Sequence, residues 1–293
     1  MSAVSRNAAG DAPLNVDVDG LRWAVRVAGS GPALLLLHGF TGSGRSWDGW
    51  LMAAAVGAGF TAIAPDLPGH GGTAWRAGHP ADPADASRAT IERSADDLPV
   101  LLRALGHDSA HAVGYSMGAR VALGLAIAHP AFVARLVLEA PSAGTVDAAG
   151  RAARRAADDA LARTLERGGI GPFIDAWERT PVLAGEARLG AQERAILREI
   201  RLAHDPAGLA ASLRAAGQGA MEPLHGRLRE IASPTLVIVG ADDPVRYRAA
   251  AVAAGIPGAR LAVVDGAGHA PHLEAPAAFR RLVLDFVWED HAA

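Results

Sequence analysis

Ser116 stands in Gly114-Tyr115-Ser116-Met117-Gly118, the G-x-S-x-G spacing of a nucleophile elbow. Glycine at both flanking positions is what a sharp strand-to-helix turn demands, because a β-carbon there would collide with neighbouring backbone. The strain of such a turn leaves the serine hydroxyl exposed above the sheet. A serine hydroxyl is a weak nucleophile until a histidine takes its proton, and that histidine needs a carboxylate to hold its tautomer. Both partners follow downstream, each after an apolar run: Asp242-Asp243-Pro244, then Gly266-Ala267-Gly268-His269. The chain order is serine, aspartate, histidine, and groups placed after the ends of different parallel strands can converge on one rim. On spacing alone either aspartate can serve. The rival use of His269 and His272 as metal ligands lacks an HExxH or a paired-carboxylate cluster, so neither a metal nor a cofactor is expected.

These residues need a sheet to position them. Ala110-His111-Ala112-Val113 is a short apolar strand entering the elbow, and residues 119–129 form an alanine- and leucine-rich helix that stops before Pro130. Ala33 to Leu37 is an unbroken apolar run, as expected of a parallel strand buried on both faces. It ends in His38-Gly39-Phe40-Thr41-Gly42-Ser43-Gly44, which is glycine-rich without matching G-x-G-x-x-G. Before it, residues 14–18 and 21–27 alternate around Asp19-Gly20 as an edge hairpin. A helix is expected over 46–56, a strand over 60–64, and a loop over 65–73 in which His70 fixes the loop. A further loop is expected over 80–85, and an amphipathic helix kinked at Pro99 over 87–105. Residues 133–139 read as a strand. From 145 to 228 strand-like runs vanish and arginine- and alanine-rich helical segments take over. The alternation resumes with strands over 234–240 and 260–264 and a closing helix over 276–290. The expected architecture is α/β: a mostly parallel sheet with helices on both faces, a core of 14–144 and 229–293, a helical cap of 145–228, and a disordered tail over 1–13.

Composition narrows the chemistry. The 293 residues, half of them hydrophobic, suffice for one large core with an inserted subdomain. There is no cysteine, which excludes disulfides, thiolate nucleophiles and iron–sulfur clusters. All 28 basic Lys+Arg positions are arginine, so no Schiff base, pyridoxal-phosphate anchor or Walker-A loop can form. A net charge of -3 argues against nucleic acid as a partner, and no apolar run is long enough to span a bilayer. A cytoplasmic protein is expected; nothing in the sequence speaks to its oligomeric state.

The His38-Gly39-Phe40 segment after a buried strand resembles the oxyanion loop of the α/β-hydrolase superfamily. By that resemblance the backbone N–H groups of Phe40 and Met117 form an oxyanion hole, and Asp243, three residues beyond the strand-ending Gly240, is preferred over Asp242 as the acid. Further segments, Asp66-Leu67-Pro68-Gly69-His70-Gly71, Gly114 to Arg120 and Trp177-Glu178-Arg179-Thr180-Pro181-Val182, make residues 14–288 similar to the 2-succinyl-6-hydroxy-2,4-cyclohexadiene-1-carboxylate synthases of menaquinone biosynthesis. This resemblance implies a lyase: the serine, made basic by His269 and Asp243, removes a ring proton, and pyruvate leaves a tricarboxylated cyclohexene. It also implies that Arg120, Arg154 and Arg201 hold substrate carboxylates, with Tyr115 and Trp177 lining the pocket. Pro244-Val245-Arg246 after the acid follows ordinary hydrolases, and keeps open an esterase or C–C bond hydrolase for a small carboxylate-bearing substrate. A non-catalytic receptor with a ligand beneath its cap is a third reading.

Overall fold

A computed structural model describes residues 12–75 and 86–289. All of the expected tail but its last two residues, the loop expected over 80–85, and the last residue of the closing helix lie outside the described residues. Strands β1 (Leu14–Val18), β2 (Leu21–Gly29), β3 (Ala33–Leu37), β4 (Thr61–Pro65), β5 (Ala74–Trp75), β6 (Ala110–Tyr115), β7 (Val133–Glu139), β8 (Thr235–Gly240) and β9 (Arg260–Val264) form one sheet. Its order is β1-β2-β4-β3-β6-β7-β8-β9, with β5 beside β2. The β1–β2 hairpin and the β2–β4 and β2–β5 pairings are antiparallel. Every ladder from β4 to β9 is parallel. β3 sits between β4 and β6 with all five residues buried, which is why it reads as unbroken Ala-Leu-Leu-Leu-Leu.

Helices cover both faces. On one, α2 (Ile91–Ala104), α3 (Met117–Ala128) and α8 (Arg246–Gly255) bury Leu98, Leu102, Val121, Leu125 and Val252. On the other, α1 (Ala53–Gly57) and α10 (Pro276–Trp288) bury Ala55, Phe279, Val283 and Phe286. The helix expected over 46–56 is a composite: a tight turn over Gly44–Trp47, a wide one over Asp48–Met52, then α1. The helix expected over 87–105 divides too. Thr90 caps α2 by accepting the N–H of Arg93, which ends the preceding turn, Ala86–Ala89, one residue earlier.

Between β7 and β8 the chain runs through α4 (Ala148–Gly168), α5 (Ile170–Trp177), a tight helical stretch Pro181–Arg188, α6 (Ala191–Leu202) and α7 (Pro206–Ala216). Asp147 caps α4 and Asp205 caps α7, each accepting backbone N–H groups of the first turn. Leu165, Phe173, Ile174, Leu209 and Leu213 form an apolar cluster of their own, against which Phe40 packs from the end of β3. That contact sets the helices over the C-terminal rim of the sheet. α9 (Pro271–Glu274) completes the fold there. Among the described residues no helix is long and apolar enough to cross a membrane.

Candidate active site

Ser116 caps α3 with φ 51° and ψ −102°, a strained conformation for a residue with a side chain. The flanking glycines have a steric origin. A β-carbon on Gly114 would lie 2.4 Å from the Gly118 carbonyl oxygen, and one on Gly118 would lie 2.1 Å from that of Leu37. The elbow thus presses directly on the end of β3, and only glycine permits it.

The Ser116 hydroxyl lies 3.1 Å from His269 Nε2, and His269 Nδ1 lies 2.8 Å from Asp243 Oδ2. Asp243 Oδ1 accepts the N–H of Val245 at 2.9 Å, so both carboxylate oxygens are engaged. With Nδ1–H donating to Asp243, Nε2 presents its lone pair and the serine hydroxyl donates to it. Asp243 and His269 are buried, whereas Asp242 is exposed and accepts from Arg188 at 3.1 Å. The arrangement can move a proton from the serine to the histidine.

Phe40 follows β3 and Met117 opens α3, and both border the cavity above Ser116. The Gly39 carbonyl accepts the N–H of Gly42 at 3.0 Å and the Nδ1–H of His38 at 2.8 Å, while His38 Nε2 accepts the N–H of Leu67. Fixing that carbonyl fixes the Phe40 N–H on the opposite side of the same peptide plane. His204, at the junction of α6 and α7, donates from Nε2 to the Thr41 carbonyl and accepts the Gly71 N–H on Nδ1, each at 2.9 Å. His70 packs edge-on against His38, Phe40 and His204.

Burial keeps all three histidines neutral: His38 is pushed down to about 3, and His70 and His204 below the usual histidine range. Below about pH 6.5 the unfolded chain binds protons that the folded one refuses, so acidification through that pH removes stability. Asp66, whose buried carboxyl is raised, acts in the opposite sense, so a variant comparison isolates the histidine contribution. His204→Gln keeps one donor and one acceptor without titrating. Its Tm is expected to fall less than that of the wild type between pH 7.5 and 5, as calorimetry at both pH values would measure; equal falls would remove His204 from this linkage.

The cavity holds about 520 Å³ and brings together Ser116, His269, Phe40, Met117, Tyr115, Arg120, Arg154 and Trp177. Trp177 packs edge-on to Phe40 with ring centroids 5.2 Å apart, and its buried indole N–H has no hydrogen-bond partner among the described residues. Tyr115 lies against His269, and burial, with Glu139 next, raises its phenol well above the ordinary value. Arg120 is 7% exposed, and among the described residues it has no ion pair and its buried Nη1 has no hydrogen-bond partner. Burial, with repulsion from Arg154 next, pushes its guanidinium down to about 10, which leaves it cationic at neutral pH. Arg154 borders the cavity too, but its Nε bonds both oxygens of Asp158, at 2.8 and 2.9 Å.

Arg201 departs from the expected set. It does not border this cavity. It lies in an adjoining pocket of about 40 Å³, where its guanidinium bonds Glu186 at 2.6 Å and Glu178 at 3.2 Å. Two carboxylates already satisfy it, so the charge that recommended it in the sequence is not free for an anion. Arg248 takes a place that sequence reading missed. It reaches the cavity from α8 and donates to Gln218 Oε1 at 3.0 Å, with no carboxylate partner among the described residues. No motif marks it, because only the packing of α8 against the sheet turns it inward.

An alpha/beta hydrolase family model matches residues 34–282. A Bacillus subtilis (strain 168) protein that provisionally carries the name 2-succinyl-6-hydroxy-2,4-cyclohexadiene-1-carboxylate synthase is 34% identical, covering 94% of this chain and 98% of its own. The synthase of that name from Serratia proteamaculans (strain 568) is 31% identical, covering 87% of this chain and 93% of its own. Among solved structures, MenH from S. aureus superposes with a TM-score of 0.81 at 29% identity, over 91% of this chain and 98% of that one. Sheet order, elbow and these matches agree: the chain belongs to the alpha/beta hydrolase family.

Proposed function

We propose that the protein is a lyase of the 2-succinyl-6-hydroxy-2,4-cyclohexadiene-1-carboxylate synthase type, acting in menaquinone biosynthesis with Ser116, His269 and Asp243 as its triad. His269, held in one tautomer by Asp243, accepts the Ser116 proton, and the serine oxygen removes a ring proton. The electron pair released shifts onto the succinyl carbonyl oxygen as an enolate, which the N–H groups of Phe40 and Met117 stabilise. Collapse of that enolate through the ring double bond breaks the carbon–oxygen bond to the three-carbon unit, which leaves as the enolate of pyruvate and takes the proton held by His269 to become pyruvate. Residues 145–228 act as the cap that closes the cavity and limits its water.

The observation that carries this reading is the buried Arg120 guanidinium, with no ion pair among the described residues and an Nη1 that bonds none of them, in the same cavity as the Ser116–His269 pair. A buried cation without a partner is costly, and a substrate carboxylate relieves that cost. Arg248 offers a second fork, and Arg154 a third that is shared with Asp158. For a substrate with three carboxylates this cavity has the matching sign and donor geometry.

Arg120→Ala is expected to cost about 1.5–3 kcal/mol in transition-state binding, roughly a ten- to hundredfold loss in kcat/KM for pyruvate release from the tricarboxylate. Hydrolysis of a neutral p-nitrophenyl ester should change far less, and Arg120→Lys should recover only part of the loss. Equal losses on both substrates would defeat the carboxylate-anchor reading. The same assay tests the esterase alternative, which the 3.1 Å Ser116–His269 contact serves equally well. Turnover of esters without pyruvate release from the tricarboxylate would establish that alternative.

A further inference from the structure

Glu139 ends β7 with no exposed surface and is bonded to both segments that carry the reacting pair. Its backbone carbonyl accepts the N–H of Ser116 at 2.9 Å. Its Oε1 accepts the backbone N–H of His272 at 2.8 Å and the Nδ1–H of the same residue at 2.9 Å. His272 is the second residue of α9, three residues beyond His269, and Glu274 accepts the N–H groups of Gly268 and Ala270, which flank His269. Tyr115 fills the space between, with ring centroids 5.6 Å from His269 and 4.7 Å from His272. The next residue along β7, Ala140, has φ +47°, so the strand end is held in a conformation its neighbours must impose.

The Glu139 side chain is a poor choice for stability alone. Its Oε2 is buried with no hydrogen-bond partner among the described residues, so the carboxylate carries a desolvation cost that its two bonds to His272 only partly offset. We propose that Glu139 is a positioning residue that sets the distance between Ser116 Oγ and His269 Nε2. Both restraints originate on one residue, so the histidine loop cannot drift from the elbow without stretching a bond to Glu139. The inference rests on the serine–histidine reading of the proposed function.

The test is the rate at which a fluorophosphonate labels Ser116 in the full chain, measured beside Tm for the wild type, Glu139→Leu, Glu139→Gln and His272→Leu. Misplacing a reacting pair by about 1 Å costs up to about a hundredfold. Glu139→Leu and His272→Leu should therefore label at least about tenfold more slowly per folded molecule, and Tm of Glu139→Leu falls as well, because two buried His272 donors lose their acceptor. Glu139→Gln, which keeps an oxygen for the His272 donors, should recover most of the rate. The low-field proton resonance of the Asp243–His269 bond should weaken in the two leucine variants and return in Glu139→Gln. Labelling at the wild-type rate in both leucine variants overturns the proposal, as does a fall in Tm with the labelling of the folded fraction unchanged. A wild type that the probe does not label removes the nucleophile itself, and the positioning role falls with it.

Discussion

Ser116→Ala is expected to lower kcat by about four to six orders of magnitude, since a triad without its nucleophile keeps only binding and oxyanion stabilisation. The hydroxyl adds little packing and among the described residues its side-chain hydrogen bond is to His269, so Tm should move little. Ser116→Gly is a sharper comparison. The residue sits at φ 51° and ψ −102°, where a β-carbon is strained, and glycine relieves a strain of about 1–3 kcal/mol. Glycine should therefore remove the activity equally and raise Tm above that of the alanine variant. Steady-state kinetics with thermal denaturation measures both. An alanine variant that keeps most of its kcat would eliminate Ser116 from the mechanism.

Asp243→Asn should lower kcat by about 10⁴-fold. The direction follows from the hydrogen bonds. Oδ1 accepts the Val245 N–H, so an asparagine keeps its carbonyl there and turns its amide N–H₂ toward His269 Nδ1. That ring nitrogen must then accept, the proton moves to Nε2, and the lone pair that receives the serine proton is gone. Asp242→Asn should be mild: its exposed pair with Arg188 is worth about 0–1 kcal/mol and lies outside the Ser116–His269–Asp243 hydrogen bonds. Measured kcat values for the two variants decide between the aspartates, and a reversal of the two effects would move the acid to Asp242.

The elements around the site were legible because each depends on a short stretch of chain. Backbone sterics at Gly114 and Gly118 dictate the elbow, and the apolar run of β3 dictates a strand covered on both faces. The loss of alternation after residue 144 announces the helices α4 to α7. Short elements escaped. β5 is two residues long and exists only through its pairing with β2, and the division of the helix before β4 into turns of different pitch leaves no mark in hydrophobic spacing.

What the sequence by itself determined is the order and local geometry of the candidate groups: a serine on a strained turn, an aspartate just past the buried β8 and a histidine just past the more exposed β9. Sterics and burial act between near neighbours in the chain, so residue types and spacing suffice to read them. Only the tertiary structure decided which charges remain unpaired. Arg120, Arg154 and Arg201 look alike as helical arginines, yet Arg120 is buried without an ion-pair partner among the described residues, Arg154 shares Asp158 one turn away, and Arg201 is neutralised by Glu178 and Glu186 from other elements. Arg248 and Glu139 gain their places in the same way, through contacts with Gln218 and His272 that are 30 and 133 residues distant in the chain. A charge is available to a ligand only when no internal partner has claimed it, and that depends on which helices and strand ends the fold brings face to face.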